Sequence, residues 1–144
     1  MAPVTEIIID TNEAGTSESG NWRNSGGSDH FGSGSEYATV GGPVDRYRFT
    51  PILPESRSYE VYVWNSCYNN RAVNVKHIIQ HANGIDTIEV DQDCDTGVSG
   101  EWNLLGAFSF NAGSFGYLEI TDEGILPSST TYMGADAARF VAIP

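Results

Sequence analysis

The 144-residue chain is short of basic side chains: seven Lys+Arg stand against 19 Asp+Glu, a net charge of −12. So acidic a surface argues against nucleic-acid partners, which need cations to release counterions, and against docking on an anionic membrane. It does keep a domain in solution. No apolar run approaches the roughly 18 residues that would span a bilayer as a helix. Gly and Pro interrupt every window long enough to hold a helix, so helical periodicity is missing as well. The start, Met1-Ala2-Pro3-Val4, has neither the basic segment nor the apolar run of a signal peptide. The chain therefore reads as residues 1–144 of a single module cut from a larger secreted protein, a cytosolic protein being the alternative. No nucleophile elbow, metalloprotease helix, phosphate loop or dinucleotide fingerprint occurs, which weighs against an enzyme.

What is present is a turn-rich composition. There are 16 Gly, and Ser, Thr, Asn and Asp crowd the gaps between short apolar runs. Strands are expected at 4–9, 36–40, 44–50, 57–65, 72–81, 85–92, 102–110, 115–121 and 135–143. In 57–65, Tyr59, Val61 and Val63 alternate with Glu60, Tyr62 and Trp64. Gly41-Gly42-Pro43, Ala82-Asn83-Gly84 and Asn111-Ala112-Gly113-Ser114 read as links between paired neighbours, the Asn-Gly turn being the strongest hairpin signal. About ten antiparallel strands at short, regular spacing specify an all-β fold, a jelly-roll-like sandwich, with a barrel as the alternative.

Cys67 and Cys94 are the only cysteines. The strand ending at Asn65 delivers Cys67 to one end of a sheet, and the 72–81/85–92 hairpin returns Cys94 to that end. A disulfide fits this geometry and an oxidising compartment; two free cysteines are the alternative. The spacing fits no zinc pattern.

The runs Tyr59-Glu60-Val61-Tyr62-Val63-Trp64, Asn70-Arg71-Ala72, His81-Ala82-Asn83-Gly84, Val90-Asp91-Gln92, Gly100-Glu101-Trp102-Asn103-Leu104-Leu105-Gly106 and Ala135-Asp136-Ala137-Ala138-Arg139-Phe140 resemble, in order and spacing, the golvesin C-terminal-like domain. The opening Ile9-Asp10 and Gly20-Asn21-Trp22 also look like that family's beginning. The resemblance implies a β-sandwich attached to secreted bacterial enzymes such as polysaccharide lyases and peptidoglycan amidases. Its implied role is binding a carbohydrate or a surface, without catalysis of its own. The cysteine pair and the loop Ser66-Cys67-Tyr68-Asn69-Asn70 depart from the family pattern, so the ligand does not carry over.

Sugar recognition requires an exposed aromatic ring for the pyranose face and amides, carboxylates or guanidinium groups for its hydroxyls. Tyr62, Trp64, Tyr68, Asn69 and Arg71 form the best such platform in the chain. Against this, Trp64 matches the family and could pack beneath a loop, and Arg71 in Asn-Arg-Ala could serve a structural ion pair. Trp22 and Trp102 read as sandwich seals, and Tyr132 and Met133 as open to either role. His77 and His81 share a strand face with Val75 and Ile79 and read as packing; His30 has no evident partner. Arg46 and Arg48 read as a solvated face. Asp136 shares parity with Ala138 and Phe140 and points inward, so it needs a partner. Arg71 is one candidate. The other is a structural calcium ligated by Asp10, Glu13 and Asp136; no other cofactor is expected.

The sequence thus describes a secreted, non-catalytic polysaccharide-binding module, with an attached catalytic domain as its second partner. A structural or adhesive module contacting protein or cell envelope is the alternative. A small lyase or hydrolase is the third reading.

Overall fold

The computed structural model describes residues 5–25, 29–32, 34–93 and 99–144. Among them there is no helix, and thus no helix long and apolar enough to cross a membrane. Twelve strands run in chain order: β1 (Glu6–Asp10), β2 (Thr16–Ser19), β3 (Arg23–Ser25), β4 (Ser35–Thr39), β5 (Arg46–Phe49), β6 (Arg57–Asn65), β7 (Val75–His81), β8 (Gly84–Val90), β9 (Glu101–Phe110), β10 (Tyr117–Thr121), β11 (Tyr132–Ala135) and β12 (Ala137–Ala142). They form a four-stranded sheet β1-β12-β6-β9, a five-stranded sheet β2-β5-β10-β7-β8 and a three-stranded sheet β11-β4-β3. Every strand pair is antiparallel.

Period-two alternation decides which side of each sheet faces in. The four-stranded sheet turns Ile9, Tyr59, Val61, Val63, Phe110, Ala138 and Phe140 toward the interior, and the five-stranded sheet answers with Tyr47, Phe49, Val75, Ile79, Leu118 and Ile120. Ala38, Val40, Met133 and Ala135 of the three-stranded sheet join the same cluster. His77 and His81 lie on the inward side of β7, as the alternation predicts. The result is a jelly-roll-like β-sandwich.

Two expected hairpins are not hairpins. Strand β4 pairs with β11 and β3, whereas β5 pairs with β2 and β10. The intervening Gly41 donates its N–H to Asp122 and lies so close to Pro127 that a Cβ would stand 2.3 Å from the proline Cα. The link therefore crosses between sheets instead of folding back. Likewise β9 pairs with β6 and β10 with β5 and β7. Gly113 is drawn aside into a two-hydrogen-bond bridge with Leu53. The Asn-Gly hairpin does form, between β7 and β8, with His81 paired to Gly84.

The expected strand 135–143 is divided at Asp136. Residues before it belong to β11 of the three-stranded sheet, and those after it to β12 of the four-stranded sheet. This change of sheet, together with β2 and β3 in the Gly/Ser-rich stretch, raises the strand number from about ten to twelve.

Candidate functional site

The outward side of the three-stranded sheet is built by alternation opposite its core positions. Tyr37 and Thr39 of β4 face out where Ala38 and Val40 face in, and Tyr132 and Gly134 of β11 face out where Met133 and Ala135 face in. Arg23 of β3 pairs with Tyr37 and donates to Thr39 Oγ1 at 3.1 Å. Residues 70–72 then run beside β11: Tyr132 N–H donates to Asn70 O and Ala72 N–H to Tyr132 O, both at 2.9 Å, and Arg71 bridges Tyr132 in parallel. Arg71 N–H donates to Tyr68 O at 3.1 Å, closing a turn that brings the Tyr68 ring back over the arginine.

Arg71 is the centre of this face. Its guanidinium carbon stands 4.9 Å from the Tyr68 ring centroid and 5.7 Å from that of Tyr37. Tyr37 is in turn edge-on to Tyr132 at 5.4 Å, and Arg23 lies over Tyr37 at 5.2 Å. The Arg71 side chain passes over Gly134, where a Cβ would stand 3.5 Å from Nε, an ordinary contact distance. Nη1 donates to Asn70 Oδ1 at 2.8 Å, and Nε is buried with no acceptor. Arg71 is only 8% exposed. Burial pushes its pKa down, and the hydroxyl ends of Tyr68, Tyr37 and Tyr132 partly restore it.

The expected platform is thus divided. Tyr68, Asn69 and Arg71 come together on the tyrosine face, with Asn69 exposed. Tyr62 and Trp64 lie on the outer side of the four-stranded sheet. Trp64 packs edge-on to Trp102 and Phe31, each at 5.3 Å, and its Nε1 donates to Asp29 O at 2.7 Å. It therefore lies beneath a loop, the alternative the sequence left open. Tyr62 faces Arg139 at 5.1 Å, and Arg139 is held by Glu6. Trp64 and Arg71 both line a small, mostly polar cavity with room for about one water. The sequence reading overlooked Tyr37 and Arg23; the alternation of Tyr37 and Thr39 with Ala38 and Val40 was the signal for the first.

The structural ion pair expected of Arg71 is replaced by aromatic contacts, because Asp136 is engaged elsewhere. Asp136 accepts the Phe31 N–H at 3.2 and 3.1 Å and the Ser66 hydroxyl at 3.1 Å. Burial is the main reason its pKa is pushed up to about 7, with the nearby Asp10 adding to the rise. Glu13 turns its carboxylate onto the Asp10 N–H at 2.7 Å. Among the described residues, no group of three His, Cys, Asp or Glu side chains could hold a metal ion. The Cys67 N–H donates to Ser99 Oγ at 3.0 Å. Cys94, the other half of the expected disulfide, lies outside the described residues, and among those described no cysteine is free.

A second carboxyl pair, Asp45 and Asp122, is buried near the crossing after β4. Asp122 accepts the Asp45 N–H at 2.8 Å, and burial with the neighbouring carboxyl raises it to about 6. Both are under 4% exposed, which leaves no face for a substrate. Trp22 seals an edge, as expected: it packs on Tyr47 at 5.3 Å and donates to Ser19 O and Arg46 O. An open groove of about 410 Å³ adjoins Arg71 and runs past Val73 and Asn74 to Ile125 and Leu126.

In fold the chain is similar to CBM35 from Cellvibrio japonicus Abf62, with a TM-score of 0.61 over 96% of this chain and 94% of that one at 12% identity. More specifically, residues 7–142 match the family model of the Golvesin C-terminal domain, and the chain belongs to that family. It is 34% identical over 139 residues to a xanthan lyase from Bacillus sp. (strain GL1). That match covers 95% of this chain but only 14% of the lyase. Against the structure of a Paenibacillus xanthan lyase the TM-score is 0.85 at 35% identity, over 97% of this chain and 13% of the lyase.

Proposed function

We propose that this chain is a non-catalytic carbohydrate-binding module of a secreted bacterial polysaccharide-degrading enzyme, and that its polysaccharide lies on the tyrosine face. The observation that carries the reading is the convergence of Tyr37, Tyr68 and Tyr132 around Arg71, with Asn69 and Asn70 exposed beside them. Partly exposed phenol rings suit pyranose C–H groups, and the amides and phenol hydroxyls suit sugar hydroxyls. The similarity to two xanthan lyases makes xanthan the first polymer to try. In affinity gel electrophoresis over neutral and acidic polysaccharides, one polymer should retard the protein. Tyr68→Ala and Tyr132→Ala should each abolish the retardation while the protein stays folded, with a stability within about 1.5 kcal/mol of wild type. Unchanged retardation in both variants would remove the site from this face.

An extracellular setting goes with a Cys67–Cys94 disulfide and with a catalytic domain elsewhere in the parent protein. A structural calcium would draw on Asp10, Glu13 and Asp136, and would raise the melting temperature over that in chelator. The adhesive reading draws on one observation: Val73 and Leu126, 56% and 84% exposed, border the groove beside Arg71. It predicts no retardation by any polysaccharide.

A further inference from the structure

Arginines elsewhere in this acidic chain have carboxylate partners. Arg46 is held by Glu119 and Glu123, Arg48 by Glu119, Arg57 by Glu55 and Arg139 by Glu6. Arg23 and Arg71 remain, and among the described residues neither is within ion-pair distance of a carboxylate. Both stack on Tyr37, at 5.2 and 5.7 Å. With 19 acidic residues against seven basic ones, two unpaired arginines on one ring are not explained by a shortage of partners.

Arg71 is the more telling of the two. A guanidinium has five N–H donors in a rigid fork suited to planar anions. One side-chain hydrogen bond engages this one, to a neutral amide, and its Nε has no acceptor. Removing a cation from water without a counter-ion in contact is costly, and tyrosine rings recover only part of that cost. Glu36 and Asp136 line the same small cavity as Arg71 without forming an ion pair with it.

We propose that the tyrosine face recognises an acidic sugar, with Arg71 binding the sugar's carboxylate and Arg23 adding a second, solvent-exposed charge. The proposal rests on the carbohydrate-binding reading and names the ligand class for that same face. A carboxylate suits the fork as a two-hydrogen-bond partner. The −12 net charge disfavours densely sulfated chains, so the charge recognised is a sugar carboxylate.

The test uses the whole chain in affinity electrophoresis against xanthan, alginate and polygalacturonate, each beside its carboxyl-reduced form, at low and high salt. At least one native polymer should bind, and carboxyl reduction should weaken that binding tenfold or more. Added salt should weaken it too. Arg71→Met should match the effect of carboxyl reduction, and Arg71→Lys should recover only part of the loss. Arg23→Gln, at an exposed position where folding is not at stake, should weaken binding severalfold. Equal binding of native and reduced polymer, or full affinity in Arg23→Gln together with a folded Arg71→Met, would overturn the acidic-sugar assignment and leave the binding reading intact. Retardation by none of these polymers or by neutral ones would overturn the binding reading itself.

Discussion

His77 gives the sharpest test of how this core is balanced. It points inward from the middle of β7, is fully buried, and has its Nδ1 3.2 Å from Val75 O. Its Nε2 has no partner. Burial disfavours the imidazolium, so the pKa falls from 6.5 to about 4. In the unfolded chain the ring takes up its proton near pH 6.5, so between pH 6.5 and 4 the unfolded state binds more protons than the folded one. The stabilisation is complete above pH 6.5 and is lost as pH falls toward 4. From those two values the loss between pH 7.5 and pH 4.5 is on the order of 2–3 kcal/mol. Asp136 and Asp122, raised to about 7 and about 6, act in the opposite direction over part of the same window. The wild-type curve alone would therefore hide the effect. The comparison should be made with His77→Leu, which keeps the volume and removes the titration while leaving both carboxyls in place. Urea unfolding at pH 7.5 should put the variant within about 1.5 kcal/mol of wild type. At pH 4.5 the variant should have gained on the order of 2–3 kcal/mol on wild type relative to that difference, on the order of a 1 M shift in midpoint. Parallel loss of stability in both proteins would show that His77 is not held neutral, and the argument from burial would fail.

Other substitutions probe the sheet crossings and the division of the aromatic residues. Gly41 has φ +80° and no room for a Cβ beside Pro127, so Gly41→Ala should cost about 2–4 kcal/mol in chemical denaturation. Trp64→Ala should cost about 3 kcal/mol, because its ring packs on Phe31 and Trp102. Trp64→Phe should retain polysaccharide binding, whereas Tyr132→Ala should lose binding and keep its stability within about 1.5 kcal/mol of wild type. Peptide mapping without reductant should recover Cys67 and Cys94 in one cross-linked peptide, and reduction should lower stability by on the order of 3 kcal/mol.

The legible and illegible parts of this protein differ in the range of the interactions behind them. Strand positions such as 57–65 and the inward side of β7 follow from alternation within a single strand, which the sequence displays directly. Whether Gly41-Gly42-Pro43 returns a strand to its neighbour or carries it to another sheet depends on Pro127 and Asp122, distant in the chain. The candidate site is long-range in the same sense. Tyr68 and Arg71 are close in sequence and could be read together. Tyr37 and Tyr132 reach them only because β4 pairs with β11 and residues 70–72 lie along β11. Trp64 sits nearer in sequence to Tyr68 than either of those tyrosines does, yet the pleat sends it to the outer side of another sheet. Asp136 was rightly expected to point inward, but its partners are the Phe31 N–H and Ser66, not Arg71. That change of partners has a chemical consequence: with Asp136 engaged by other donors, Arg71 is left with tyrosine rings and the Asn70 amide as its side-chain partners.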